Sequence, residues 1–173
     1  MSEHDTEHTA DDAASSILAA IHPELRRIAS SALQNRGGHI DATDLAHQAW
    51  LKVADRVGDL DRSSFLALCA TVMRHLVVDE ARRYEREERH QETLIGLRPD
   101  PGSEGEERLN LLALDEALAR LANHDERWMR VVELRFFGGL TIDEVAKVLG
   151  LSTRSVNRAW LLARAWLQRE LSD

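Results

Sequence analysis

The chain has 173 residues, 43% of them apolar and 30% charged, with a net charge of −8 and a single cysteine, Cys69. One cysteine excludes an internal disulfide, no apolar run approaches the roughly 20 residues needed to span a bilayer, and the acidic amino terminus does not read as a signal peptide. A cytoplasmic protein without membrane insertion is expected, and the abundance of Ala, Leu, Arg and Glu with little strand-like alternation favours an all-α fold.

Residues 1–12 hold Glu3, Asp5, Glu7, Asp11 and Asp12 without Lys or Arg, and are expected to form a disordered acidic tail. A first helix is expected from about Ala13 to Gln34, with Pro23 either kinking it or marking a start. Arg36-Gly37-Gly38-His39 reads as a turn. Asp41 then caps a second helix with Asp44 in its first turn and Leu45, Trp50, Leu51 and Val53 as its apolar residues. A loop from Gly58 to Ser63 precedes a long third helix, about Ser64 to Glu88. This helix carries Leu66, Cys69, Met73, Leu76, Val77 and Tyr84 on one face and His75, Asp79, Arg82, Arg86 and Arg89 on another. Cys69 reads as a small core residue, and Asp79 is placed to pair with Arg83 four residues on.

Residues 91–107 contain Gly96, Pro99, Pro101, Gly102 and Gly105 and read as a flexible linker. The expected organisation is therefore a helical domain over 13–90, a linker over 91–107 and a second, smaller helical domain over 108–173. In the second domain, Leu112, Leu114, Leu118 and Leu121 mark one helix. Asn123 and Glu126 form a capping-box pattern before another, which Gly138-Gly139 ends.

The last third of the chain is the most specific. Thr141 and Glu144 make a capping box, Ala146 is small, Gly150 sits where the chain must turn at positive φ, and Ser152 caps a final helix. This is a helix-turn-helix, whose second helix is built to enter a DNA major groove. Val156, Trp160, Ala163, Leu167 and Leu171 form its apolar stripe, with Arg154 and Arg158 on the opposite side. Between Gly150 and Arg169 the only charges are four arginines, and guanidinium groups suit phosphates and the O6/N7 edge of guanine.

A net charge of −8 conflicts with tight DNA binding until its distribution is considered. Residues 1–12 hold five acids, and residues 91–110 hold five acids against two arginines, which together account for the whole excess. A near-neutral body still predicts weak DNA affinity for the chain alone, because non-specific binding is mostly electrostatic. A stand-alone helix-turn-helix regulator is one reading of the chain, and it requires tight operator binding without help. A helical metalloenzyme is disfavoured: Glu87-Glu88-Arg89-His90 supplies one Glu-x-x-His where a carboxylate bundle needs two and further Glu. No catalytic residue, metal site or cofactor is expected.

Three stretches carry a family resemblance. Asp41-Ala-Thr-Asp-Leu-Ala-His-Gln-Ala-Trp-Leu-Lys-Val, Phe65 to Arg83 with Met-Arg-His-Leu-Val-Val-Asp-Glu-Ala-Arg-Arg, and Asp115 to Leu171 with Val-Glu-Leu-Arg-Phe-Phe-Gly-Gly-Leu-Thr stand in this order. From about Ala13 to Leu171 the chain resembles bacterial sigma factors of the sigma-70 family, in the small extracytoplasmic-function (ECF) group. The resemblance implies a promoter-specificity subunit of RNA polymerase, without catalysis of its own, that recognises promoter DNA and supports its melting. It implies core RNA polymerase (the β′ clamp helices and the β flap) and promoter DNA as partners, with an anti-sigma factor as a candidate regulator.

By the same resemblance, Leu45, Gln48, Trp50 and Leu51 would meet the clamp, although Trp50 on an amphipathic helix reads by itself as a core residue. Asp61, Arg62, Ser63 and Phe65 would form the capture pocket for a flipped base of the −10 element. His75 and Asp79 would lie near the melted strand, with Arg82, Arg83 and Arg86 on its phosphates. Arg154, Ser155, Asn157 and Arg158 would read the −35 groove, with Ser152 and Thr153 near phosphates. Many relatives carry a Trp shortly after the position of Phe65, where this chain has Leu-Ala-Leu-Cys, which implies a smaller stacking surface. Asn157 stands where many relatives have Lys or Arg, and Asn pairs with adenine. Glu85, Glu87 and Glu88 dilute the basic stretch.

Overall fold

Helix α1, His4–Leu33, opens the computed structural model, which describes residues 4–33, 40–95 and 102–172. The backbone is thus helical from His4, where a disordered tail was expected. Apolar residues further along α1 give the helix a face to dock, which stabilises it more than intrinsic propensity does. Pro23 lies inside α1 and faces solvent. The expected Arg36–His39 turn lies outside the described residues.

Asp41 caps α2, Ala42–Val53, through the amides of Thr43 and Asp44. The amides of Asp44 and Thr43 hold the Asp41 carboxyl below its ordinary range. A short 3-10 turn, Ala54–Arg56, leads into a tight loop in which Gly58 takes a φ of +96° and Val57 bridges Leu60. Helix α3 spans Arg62–Ile95. Helices α1, α2 and α3 close around Leu25, Ile28, Leu45, Cys69, Met73 and Val77. Burial pushes the Cys69 thiol up to about 12, so it is an inert member of this core, as its setting in the sequence suggests.

Helix α3 runs to Ile95, and α4 spans Gly102–His124. Both ends of the stretch expected to be a linker, 91–95 and 102–107, are therefore helical, and 96–101 lie outside the described residues. Helix α5, Glu126–Val132, is capped by Asp125, which accepts from the amides of Arg127 and Trp128. The expected Asn123–Glu126 box does not form because α4 continues through Asn123 to His124. A wide π-helical turn, Glu133–Phe137, follows α5 and closes with the Gly138 amide on the Glu133 carbonyl. Helices α6, Ile142–Leu149, and α7, Thr153–Glu170, complete the chain.

The caps and the turn between α6 and α7 form as their sequence directs. The Glu144 amide donates to Thr141 Oγ1 at 3.2 Å and the Glu144 carboxylate accepts from the Thr141 amide at 2.6 Å. Gly150 turns at a φ of +64° and Ser152 caps α7 through the Ser155 amide. Val145 and Val156 are fully buried between α6 and α7. Along the apolar stripe, burial weakens toward the end, where Leu171 is exposed.

Thr141→Ala removes one half of the capping box and is expected to lower stability by about 1 kcal/mol, read from urea unfolding at pH 7. The amide of Thr141 holds the Glu144 carboxyl below its ordinary 4.5. A group with a depressed folded pKa stabilises the fold above its unfolded value and loses that contribution as pH falls through the folded one. The stability gap between wild type and Glu144→Gln should therefore be complete at neutral pH and close as pH drops below 4.5.

Candidate nucleic-acid interface

The exposed start of α7 is held rigidly by its own hydroxyls. Ser152 Oγ accepts from the Ser155 amide at 3.1 Å and lies 2.8 Å from Ser155 Oγ. Ser152, Thr153, Arg154, Ser155, Asn157 and Arg158 are all exposed, while Val156 and Ala159 on the reverse side anchor the helix to the core. No ion pair engages Arg154 or Arg158 among the described residues. Two uncommitted guanidinium groups therefore lie on the first turns of a helix whose amino end is itself positive, and the sequence places no acid between Gly150 and Arg169 to offset them. All six residues expected to meet the −35 groove share this surface.

Arg127 adds a cation that sequence reading did not single out. It is exposed at the start of α5 and lines a shallow depression of about 330 Å³ together with Ser155 and Arg158 of α7. The available signal was its place two residues after the Asp125 cap, which sends the side chain outward beside α7.

The arginines of α3 are in a different state. Arg82 donates to Asp115 at 2.8 Å and lies 3.8 Å from Asp79, and Arg83 pairs with Glu80 and Glu87. The expected Asp79–Arg83 pair does not form because each side chain reaches the neighbour three residues away instead. Arg86 is exposed with no ion pair among the described residues, and His75 and Asp79 are exposed on the same side. The basic stretch is thus largely neutralised within the chain.

A family model described as ECF sigma factor matches residues 5–173. The chain belongs to the ECF sigma factor family. Its role is in transcription initiation, and no curated protein resembles the chain closely enough to count as a match. No helix among the described residues is long and apolar enough to cross a membrane.

In this sigma factor the residues expected around a captured −10 base divide between surface and interior. Asp61 caps α3: its Oδ1 accepts from the amides of Ser63 and Ser64, and its Oδ2 accepts from Ser64 Oγ at 2.8 Å. The Ser64 hydroxyl and then its amide hold the Asp61 carboxyl below the ordinary range. Arg62 is exposed but paired with Glu24. Ser63 is half-buried. Phe65 is only 6% exposed and sits edge-on to Trp50, with ring centres 6.0 Å apart. The ring that sequence comparison offers as a stacking surface is therefore part of the N-terminal core.

Among the clamp candidates, Leu45 is fully buried and Trp50 nearly so, as its amphipathic setting suggests. They shape α2 from beneath. Gln48 and Leu51 are exposed on its outer side, Leu51 at 66%.

A second surface belongs to the C-terminal half. An apolar groove of about 600 Å³ runs between α4, the π turn and α7, lined by Leu114, Phe136, Trp160, Leu167 and Leu171. Arg135 and Arg164 both lie against the Trp160 ring, at 5.3 and 5.8 Å from its centre.

Because Phe65 is packed on Trp50, Phe65→Ala is expected to cost about 3–5 kcal/mol in urea unfolding. A cost within about 0.5 kcal/mol would instead mark the ring as a surface group.

Proposed function

We propose that this sigma factor binds bacterial core RNA polymerase in the cytoplasm and directs it to promoters with two modules. One, over 13–90, would dock on the β′ clamp through the outer side of α2 and hold the melted −10 element near His75, Asp79 and the arginines of α3. The other, over 108–173, would read the −35 element with α7 and offer its apolar groove to the β flap. The polymerase performs the nucleotide chemistry, and the chain contributes binding and position alone.

The observation that carries this reading is the contrast between the two sets of cations. The arginines at the start of α7 are exposed and unpaired among the described residues, whereas those of α3 are mostly held by acids of the chain. One recognition surface is ready before any partner arrives, and the other depends on a rearrangement. The neutral body fits the same picture: most of the electrostatic attraction to DNA must come from the polymerase, and tethering the modules on it makes the second contact intramolecular.

Reconstituted transcription with bacterial core polymerase over a random promoter library tests the proposal and yields the promoter consensus. Arg154→Ala and Arg158→Ala are expected to weaken promoter recognition by about 1–3 kcal/mol each, with preference relaxed at the bases they read. Full activity of both variants on a matched promoter would remove them from the −35 surface. Tight, sequence-specific binding to a palindrome by the chain alone would favour a stand-alone regulator instead.

A further inference from the structure

Helix α7 presents a line of exposed side chains opposite its buried stripe. At about 100° per residue, Arg154, Asn157, Arg158 and Leu161 fall within an arc of about 100°, and all four are exposed. Ser155 and Leu162 lie about a quarter-turn round from the middle of that arc. On this flank Ser155, Arg158 and Leu162 line the depression of about 330 Å³ together with Asp125, Arg127 and Trp128 of the α5 end. Arg127 is exposed and, like Arg158, takes part in no ion pair among the described residues. Asp125 is the one acid in this lining. Its Oδ1 is turned to the α5 backbone, where it accepts from the Arg127 amide at 2.9 Å and the Trp128 amide at 3.1 Å. The depression thus brings together two guanidinium groups from two helices and a hydroxyl, against one carboxylate already engaged as a helix cap.

We propose that this depression seats one backbone phosphate of the promoter beside the −35 element, with Arg127 as its principal ligand, and so fixes the angle at which α7 enters the groove. The proposal rests on the reading of α7 given above. An α-helix with its side chains is about 10–12 Å across, and the major groove of B-DNA is about 12 Å wide. A helix in the groove therefore fills it from wall to wall. Its outermost line meets base edges, and side chains about 90° round from that line meet the walls, which are sugar and phosphate. Arg154, Asn157 and Leu161 stand on the outermost line. Ser155 stands at a wall, with Arg127 beside it, and Arg158 lies between the two.

The groups present suit a phosphodiester. A guanidinium fork donates parallel hydrogen bonds to two oxygens of one anion. Ser155 Oγ lies 2.8 Å from Ser152 Oγ, and with Ser152 donating, the Ser155 hydroxyl hydrogen is left for the phosphate. Arg127 belongs to α5 and not to the helix in the groove. A contact from this second helix resists rotation of α7 about its own axis, which contacts along α7 alone resist less. A phosphate contact carries no sequence information. Its loss is felt equally on every promoter, whereas the loss of a base contact is felt at one position.

The test is binding of the full chain, assembled with bacterial core polymerase, to promoters selected from the random library, measured over a range of salt. Each phosphate contact steepens the fall of log affinity with log salt by about 0.9. Arg127→Ala should therefore bind more weakly than wild type at about 50 mM salt, and the gap should narrow about 3.5-fold by about 200 mM, with the ranking of promoters unchanged. Arg127→Lys keeps the charge and should keep the wild-type slope. Circular dichroism checks that both variants remain folded, and their affinity for core polymerase without DNA should equal that of wild type. A wild-type slope for Arg127→Ala, an altered promoter ranking, or weakened binding to core polymerase in the absence of DNA overturns the phosphate seat. If Arg154→Ala and Arg158→Ala also bind and rank promoters as wild type does, α7 is not the reader and the functional reading falls too. If those two variants lose recognition while Arg127→Ala behaves as wild type, the phosphate seat alone is removed.

Discussion

Glu133 is the point on which the arrangement of the two halves turns. A carboxylate with 1% exposure is tolerated only when its charge and its lone pairs are met, and here Arg74, Arg130 and Thr71 meet them from two directions. Thr71 and Arg74 belong to α3 and Arg130 to α5, so satisfying one side chain fixes the C-terminal half against α3. Removing Arg74 would leave Glu133 to the partly exposed Arg130 and Asp115 to the exposed Arg82, and a poorly met charge in such a site is costly. The surrounding contacts follow from that geometry. Gly138 lets the backbone come so close to α3 that an added Cβ would lie 3.1 Å from the Ala70 Cβ, and Gly139 does the same against Ser31 of α1.

Much of the architecture was legible because local chemistry decides it. The Asp41 cap, the Thr141–Glu144 box, the left-handed Gly150 and the Ser152 cap all form from residues within four positions of one another. The apolar stripe of α7 follows from a simple angular repeat. The exposed face at the start of α7 was legible for the same reason, since the face opposite a buried stripe has nowhere to go but solvent.

What was not legible depends on partners distant in sequence. Arg74, Asp115 and Glu133 lie 41 and 59 positions apart and carry charges that pattern reading assigns to the surface. Gly138 and Gly139 were read as a helix stop, and they do follow the turn, but their small size also serves close approach to helices far earlier in the chain, Gly138 to Ala70 of α3 and Gly139 to Ser31 of α1. Residues 91–95 and 102–107 were read as linker from their glycines, prolines and acids. Helices α3 and α4 extend into them, and Arg108 lies against Tyr84 and pairs with Glu88. Phe65 illustrates the converse case: a family position suggested a role at the surface, and packing against Trp50 placed the ring inside.

The π-helical turn carries a consequence of its own. Within the five residues of the wide turn Glu133, Leu134 and Phe137 point inward while Phe136 faces out, so one short stretch serves both the core and the surface. The wide turn absorbs one extra residue without redirecting the chain, because five residues wound i→i+5 cover about the angle that four cover in an α-helix. Excising a single residue from 133–137 would therefore restore ordinary winding and leave α6 and α7 aimed nearly as before, at the loss of one of the side chains that the turn presents.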